Sequence, residues 1–249
     1  MTPVDPRADV LAGNLARVRE RIAAAAAAAP RAAGIAAATP ALIVVTKFHP
    51  AADVRRLVAL GVRDVGENRD KEAAQKAVDV AGGDAVRWHF IGQLQSNKAR
   101  SVARYAHAVH SVDRLQLVAS LGRAMAAEQD ATGRADLECF LQVNLDPDAD
   151  PDAAGRGGAL PADVPALADA VARTPGLELA GVMAVAPRGA DPDAAFERLA
   201  RVSAALVAWH PAATGMSAGM SGDLEQAVRW GATHLRVGSD VLGPRPAVG

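Results

Sequence analysis

Short β-branched runs recur along this chain between amphipathic stretches, and that alternation constrains its fold more than any other feature. Strand-like runs fall at Ala41 to Lys47, Val62 to Gly66, Arg87 to Gly92, Ala108 to Val112, Leu137 to Val143, Leu179 to Val185, Thr214 to Ser217 and His234 to Gly238. Helix-like stretches separate them at Asp53 to Leu60, Asp70 to Val80, Asn97 to Tyr105, Arg114 to Gln129, Ala162 to Arg173, Asp193 to Trp209 and Asp223 to Trp230. Several open with Asp, Asn or Pro, as helix starts do. A charged, Ala-rich helix from Arg7 to Ala29 precedes them all. Such alternation predicts an α/β protein on a parallel sheet, and eight units in 249 residues predict a single (β/α)8 TIM-type barrel with an extra N-terminal helix. A doubly wound open sheet uses fewer strands, and loss of the short, Gly/Met-rich seventh run would favour it.

Composition agrees with one domain over residues 1–249, although the 50% apolar share overstates the core. About a quarter of the chain is alanine and only eight residues are aromatic, so Leu, Val and Ile must supply most of the packing. A net charge of −1 and no basic stripe argue against a nucleic-acid partner or an anionic lipid surface. Cys139 is the single cysteine, which excludes an internal disulfide and suits a reducing, cytoplasmic compartment. The opening residues MTPVDPRADV lack the pattern of a signal peptide. The weakly apolar stretch from Ile22 to Pro30 is far shorter than the ~20 residues of a membrane span. A closed barrel has no edge strand to pair, which favours a monomer.

Two features suggest metal sites and fall short. Asp146, Asp148 and Asp150 imitate the start of a calcium loop, yet Pro151 stands at the turn position and Gly157 at the twelfth. The surrounding segment, Asp146 to Asp163, reads as a long loop after the fifth strand. His107 and His110 form a close pair with no further ligands nearby in sequence, so packing or surface roles are expected.

The basic residues number 27, of which only Lys47, Lys71, Lys76 and Lys98 are lysines. In an arginine-rich chain a lysine is most informative where an amine must lose its proton and act as a nucleophile. Lys47 ends the apolar run Leu42 to Thr46, which places it at the C-terminal mouth of the first strand, where barrels collect reactive groups. Partial desolvation there would prepare it for a Schiff base with an aldehyde; a snorkelling strand-end lysine is the bland alternative. Loops seven and eight, Gly215 to Gly222 and Leu235 to Ser239, offer small residues and hydroxyls where barrels often bind phosphate.

Five blocks carry a resemblance: LIVVTK (Leu42 to Lys47), VGEN (Val65 to Asn68), WHFIGQLQSNK (Trp88 to Lys98), MSAGMSGD (Met216 to Asp223) and LRVGSDVLG (Leu235 to Gly243). Together they resemble the pyridoxal-phosphate-binding homeostasis family (YggS/PROSC type), related in fold to the barrel domain of bacterial alanine racemases. The resemblance covers about residues 10 to 243 and implies a barrel of the fold-type III pyridoxal phosphate (PLP) proteins. It implies a Schiff base on Lys47, phosphate contacts from Ser217, Gly238 and Ser239, and cofactor-lining roles for Asn68 and His89. Arg236 would face the pyridine nitrogen, and a permanent cation there disfavours protonation of the ring. Phe48, His49 and Arg69 depart from the family pattern. Ser239 replaces Thr and keeps the hydroxyl.

The resemblance implies a carrier or buffer that holds PLP and supplies PLP-dependent apo-enzymes, without robust turnover. An amino-acid racemase is the alternative, and it needs two proton handlers on opposite faces of the cofactor. In alanine racemases the second is a tyrosine supplied across a dimer by a C-terminal β-domain. Tyr105, the single tyrosine, is expected in the third helix of the outer ring, away from the mouth, and Cys139 reads as a small buried hydrophobe.

Overall fold

A computed structural model describes residues 5–29, 39–80, 86–146 and 157–244. Eight parallel strands close into a barrel in sequential order: β1 (Ala41–Val45), β2 (Asp64–Glu67), β3 (Arg87–Phe90), β4 (Ala106–Val112), β5 (Leu137–Gln142), β6 (Leu177–Met183), β7 (Gly215–Ser217) and β8 (His234–Val237). β8 returns to β1, with Ala41 opposite His234 and Val44 opposite Val237. The seventh run does form a strand, pairing Gly215, Met216 and Ser217 with Gly181, Val182 and Met183.

The outer ring is α2 (Ala51–Ala59), α3 (Asp70–Asp79), α4 (Ala99–Val102), α5 (Leu115–Thr132), α6 (Val164–Arg173), α7 (Pro192–Trp209) and α8 (Leu224–Arg229), preceded by α1 (Pro6–Ala28). Asp5 caps α1 by accepting from the Arg7 and Ala8 amides, and Pro6 sits at its first position, where a missing N–H costs nothing. Leu11, Leu15, Val18 and Ile22 bury one stripe of α1. Polar ties fix its placement: Arg7 pairs with Asp53, Asn14 donates to the Val241 carbonyl, and Arg21 pairs with Glu225 and Asp240.

Two stretches differ from the sequence expectation. The stretch from Asn97 to Tyr105 splits into a 3-10 turn (Ser96–Lys98) and the one-turn α4, leaving Tyr105 in the turn before β4. A short helix not expected from sequence, α9 (Ser239–Leu242), follows β8. Asp148, Asp150 and Pro151 lie outside the described residues; the return of that loop is tied by Asn144 N–H to the Ala159 carbonyl and by Gln142 Nε2 to the Gly157 carbonyl.

Val44, Val65, Val109 and Leu141 face outward and pack against Leu57, Leu121 and Leu199 of the helices, each full burial contributing roughly 1.5–3 kcal/mol. Inside the barrel lie Ala108, Phe140 and Met183 with Ala180, and Ile43 and Val45 of β1 beside Gly66. Polar side chains occupy much of the remainder. Among the described residues no helix is long and apolar enough to cross a membrane, and no cluster of metal-ligating side chains occurs.

Candidate functional site

Lys47 emerges half-buried where β1 ends, and its two neighbours are pinned from behind the sheet. Thr46 Oγ1 donates to Glu67 Oε1 at 2.6 Å, and the Thr46 amide donates to the Gly66 carbonyl. Phe48 is the single non-glycine at positive φ among the described residues (φ 69°), a conformation that costs about 1 kcal/mol or more for a bulky side chain. Its amide donates to Glu72 Oε1 at 2.6 Å, which offsets part of that cost. Lys76 closes the cluster: its Nζ donates to the Thr46 carbonyl, Glu67 Oε1 and Glu72 Oε1 at 2.8, 2.6 and 2.6 Å. Burial pushes the Glu67 carboxyl up from its ordinary value, against the pull of Lys76 and Thr46.

The departures at positions 48, 49 and 69 form local contacts. The Arg69 guanidinium lies 4.9 Å above the Phe48 ring, a cation–π placement. His49 is buried with Nδ1 3.7 Å from Asp53 Oδ2, and burial lowers its pKa. Asn68, directly after β2, has its Oδ1 buried with no hydrogen-bond partner among the described residues. Gly92 allows that placement, since a Cβ there would come within 2.3 Å of the Asn68 carbonyl oxygen.

On the other side of β1, Gly238 sits so close that a Cβ would press on the Val45 carbonyl oxygen at 3.2 Å. Ser239 follows it, exposed, with its Oγ 3.3 Å from Ser221 Oγ. The loop bearing Ser221 is held by Asp223 Oδ1, which accepts from the Met220 amide, and by the Gly219 carbonyl, which accepts from the Arg236 amide. Gly219 itself has φ 89°, and a Cβ would lie 2.6 Å from Ala227 Cβ. Two serine hydroxyls beside a glycine backbone thus face one another at the mouth.

Ser217 and Arg236 lie deeper. Both are buried, and Arg236 Nη1 donates to Ser217 Oγ at 2.7 Å while Nη2 donates to the Ala184 carbonyl at 2.8 Å. Burial pulls the Arg236 pKa down to about 10, so the guanidinium is still charged at neutral pH. His110 Nδ1 also meets Ser217 Oγ, at 2.9 Å. His89 is buried below that, between His110 and Asp64.

A family described as "Alanine racemase, N-terminal domain" matches residues 13–246. The chain belongs to this family. It is 43% identical over 243 residues to the pyridoxal phosphate homeostasis protein of Mycobacterium leprae (strain TN), with 92% of this chain and 91% of that protein covered. The solved structure of PipY from Synechococcus elongatus PCC7942, with PLP bound, superposes with a TM-score of 0.74 at 33% identity, covering 94% of this chain and 100% of that one. An alanine racemase from Corynebacterium glutamicum shares the fold, with a TM-score of 0.67 at 14% identity over 97% of this chain and 62% of that one.

In this alanine-racemase-type barrel, Lys47, Asn68, Gly238 and Ser239 stand at the C-terminal ends of β1, β2 and β8. Ser217, Arg236 and His89 belong instead to the strands and the barrel interior. Sequence reasoning did not single out Ser221, Lys76 or Asp64 for the site, and gave His110 only a packing or surface role. A signal for Ser221 existed, because MSAGMSGD offers a second serine four residues after the first, beyond the end of the strand. For Lys76 the i,i+4 spacing points to Glu72, but no local pattern points to Glu67 or the Thr46 carbonyl, and none points from Asp64 to His89.

Proposed function

We propose that this protein binds PLP reversibly at the C-terminal mouth of its barrel, anchored through Lys47, and serves intracellular PLP homeostasis as a carrier or buffer. The observation that carries the reading is a lysine amine at the mouth beside an unpartnered, buried Asn68 Oδ1 and the facing Ser221 and Ser239 hydroxyls. When bound, the cofactor supplies an aldehyde that condenses with an amine and a phosphate that needs hydrogen-bond donors. The residues present fit both demands. Lys47 would take the aldehyde carbon, Ser221, Ser239 and the Gly238 backbone would hold the phosphate, Asn68 would line the ring, and Arg236 would face the pyridine nitrogen. Ser217 and His89 support Arg236 from below, because their polar atoms already serve other protein groups. The PLP-bound PipY structure and the relatives named as pyridoxal phosphate homeostasis proteins support this reading.

Racemisation would require a second proton handler. Tyr105 is ill placed for it: its hydroxyl lies 3.5 Å from Asp70 Oδ1, and burial raises its pKa far above neutrality. Supply of PLP to apo-enzymes, a monomeric state and a reducing cytoplasmic location complete the proposal; the buried, free Cys139 and the closed sheet support the last two. Adding PLP to the purified protein, recording its visible absorption and trapping with borohydride before peptide mapping tests the anchor. Label on Lys47 supports it; label confined to Lys71, Lys76 or Lys98 overturns it.

A further inference from the structure

A continuous chain of side chains, buried except for the part-buried Asp64 at its end, crosses the barrel interior beneath the mouth. Asp64 Oδ1 meets His89 Nε2 at 2.8 Å, His89 Nδ1 meets His110 Nε2 at 2.9 Å, and His110 Nδ1 meets Ser217 Oγ at 2.9 Å. Arg236 Nη1 completes it at 2.7 Å from Ser217 Oγ. The link from His110 to Ser217 joins β4 to β7, strands that are not neighbours, so it passes through the barrel rather than along its wall.

Hydrogen positions in this chain follow from its two ends. A guanidinium can only donate, so Ser217 Oγ accepts from Arg236 and keeps its own hydrogen, which goes to His110 Nδ1 once the neutral imidazoles are ordered from the Asp64 carboxylate. His110 then carries its hydrogen on Nε2 and donates to His89 Nδ1. His89 in turn carries its hydrogen on Nε2 and donates to Asp64. Arguing from the other end gives the same order, because the Asp64 carboxylate can only accept. Burial outweighs the opposing hydrogen bond and charge of Asp64 at His89, lowers the pKa of both imidazoles and keeps them neutral. Burial alone would raise Asp64, but hydrogen bonds from His89 and Arg87 bring it down to about 2. The chain is therefore saturated and polarised, with an anion at one end and a cation at the other.

We infer that Asp64, His89, His110 and Ser217 form a positioning chain that fixes the Arg236 guanidinium against the ring of the bound cofactor and thereby keeps its pyridine nitrogen unprotonated. The inference rests on the proposed PLP site and assigns what lies under it. Arg236 is held at both terminal nitrogens, by Ser217 and by the Ala184 carbonyl, so its remaining N–H groups have a fixed direction. Loss of a link frees the Ser217 hydrogen, and Arg236 with it.

The test uses His110→Phe, which preserves the ring stack on Phe140 (4.3 Å between centroids, 10° between planes), and His110→Gln, whose amide can both accept from Ser217 and donate to His89. With PLP labelled with nitrogen-15 in its ring, His110→Phe should weaken binding at least tenfold and move the ring resonance toward the pyridinium value. His110→Gln should restore both. Wild-type affinity and ring resonance in a folded His110→Phe protein overturn the inference. Nitrogen-15 histidine spectra of the protein without PLP give a second reading that does not depend on the cofactor or on that variant folding. They should show His89 and His110 neutral with hydrogens on Nε2, and Asp64→Asn should disturb the His89 pattern; charged or Nδ1-protonated rings in the wild type overturn the chain. Failure of the wild type to bind PLP while the histidine pattern holds overturns the cofactor role alone.

Discussion

Lys76 Nζ and Glu67 Oε1 lie 2.6 Å apart in the layer between barrel and α3, with 6% and 1% of their side chains exposed. This buried pair holds Thr46 on one side of Lys47, and Glu72, bonded to the same Lys76, accepts from the Phe48 amide on the other. Lys76→Met leaves Glu67 with Thr46 as its remaining partner and removes the donor to the Thr46 carbonyl. Breaking such a pair on one side costs about 3–5 kcal/mol. Urea unfolding should show that loss, and the double variant with Glu67→Gln should recover part of it.

Lys47→Ala removes the amine without touching the core, because the side chain is half-buried at the mouth. The protein should fold with unchanged thermal stability and far-UV circular dichroism while losing the visible band and borohydride trapping with PLP. An unchanged band would place the anchor elsewhere.

Ser221→Ala and Ser217→Ala should separate cleanly. At the mouth, Ser221→Ala removes a donor to a charged phosphate, worth about 1.5–3 kcal/mol or roughly 10- to 150-fold in PLP affinity, with little change in stability. In the interior, Ser217→Ala leaves His110 Nδ1 and one Arg236 N–H unsatisfied, so stability should fall by about 1–3 kcal/mol. Isothermal titration beside urea unfolding distinguishes the two; equal effects of both variants on both measurements would contradict the geometry.

Acid should weaken the fold well above the carboxylate range. Burial lowers the His234 pKa to about 4 from an ordinary 6.5. Between those values the unfolded chain binds a proton that the native state does not, so stability falls as pH drops from 6.5 toward 4. His234 alone accounts for roughly 3 kcal/mol over that window, and His89 and His110 act in the same direction. Urea unfolding at pH 7.5 and 5 checks the slope. His234→Phe, beside the Phe140 ring, should flatten it.

Much of the barrel was legible because strand and helix periodicities are local. Ala41 to Lys47 and Leu137 to Val143 read as strands from their own composition and contain β1 and β5, and the helix read from Arg7 to Ala29 is α1. The halves of the site were unequal. Lys47 stood out by residue type and by its place at a strand end. The loop proposed to hold phosphate read as a block, but proposing a hydroxyl within it required knowing where β7 stops. Ser217 is the last residue of the strand and faces the interior, whereas Ser221 lies beyond it. His110 read as a packing residue; it is buried, and it is also a hydrogen-bonded link between opposite walls.

By itself the sequence determined the number and order of the βα units and the place of Lys47 at a strand end, because both depend on residues within a few positions of one another. Closure of the barrel decided the rest. It brings His110 to Ser217 across 107 positions of chain and Lys76 to the Thr46 carbonyl across 30. Such partners are set by strand register and by which face of the sheet each side chain takes, and a shift of one residue reverses that face. Local sequence does not encode that choice; the pairing of all eight strands around the barrel does.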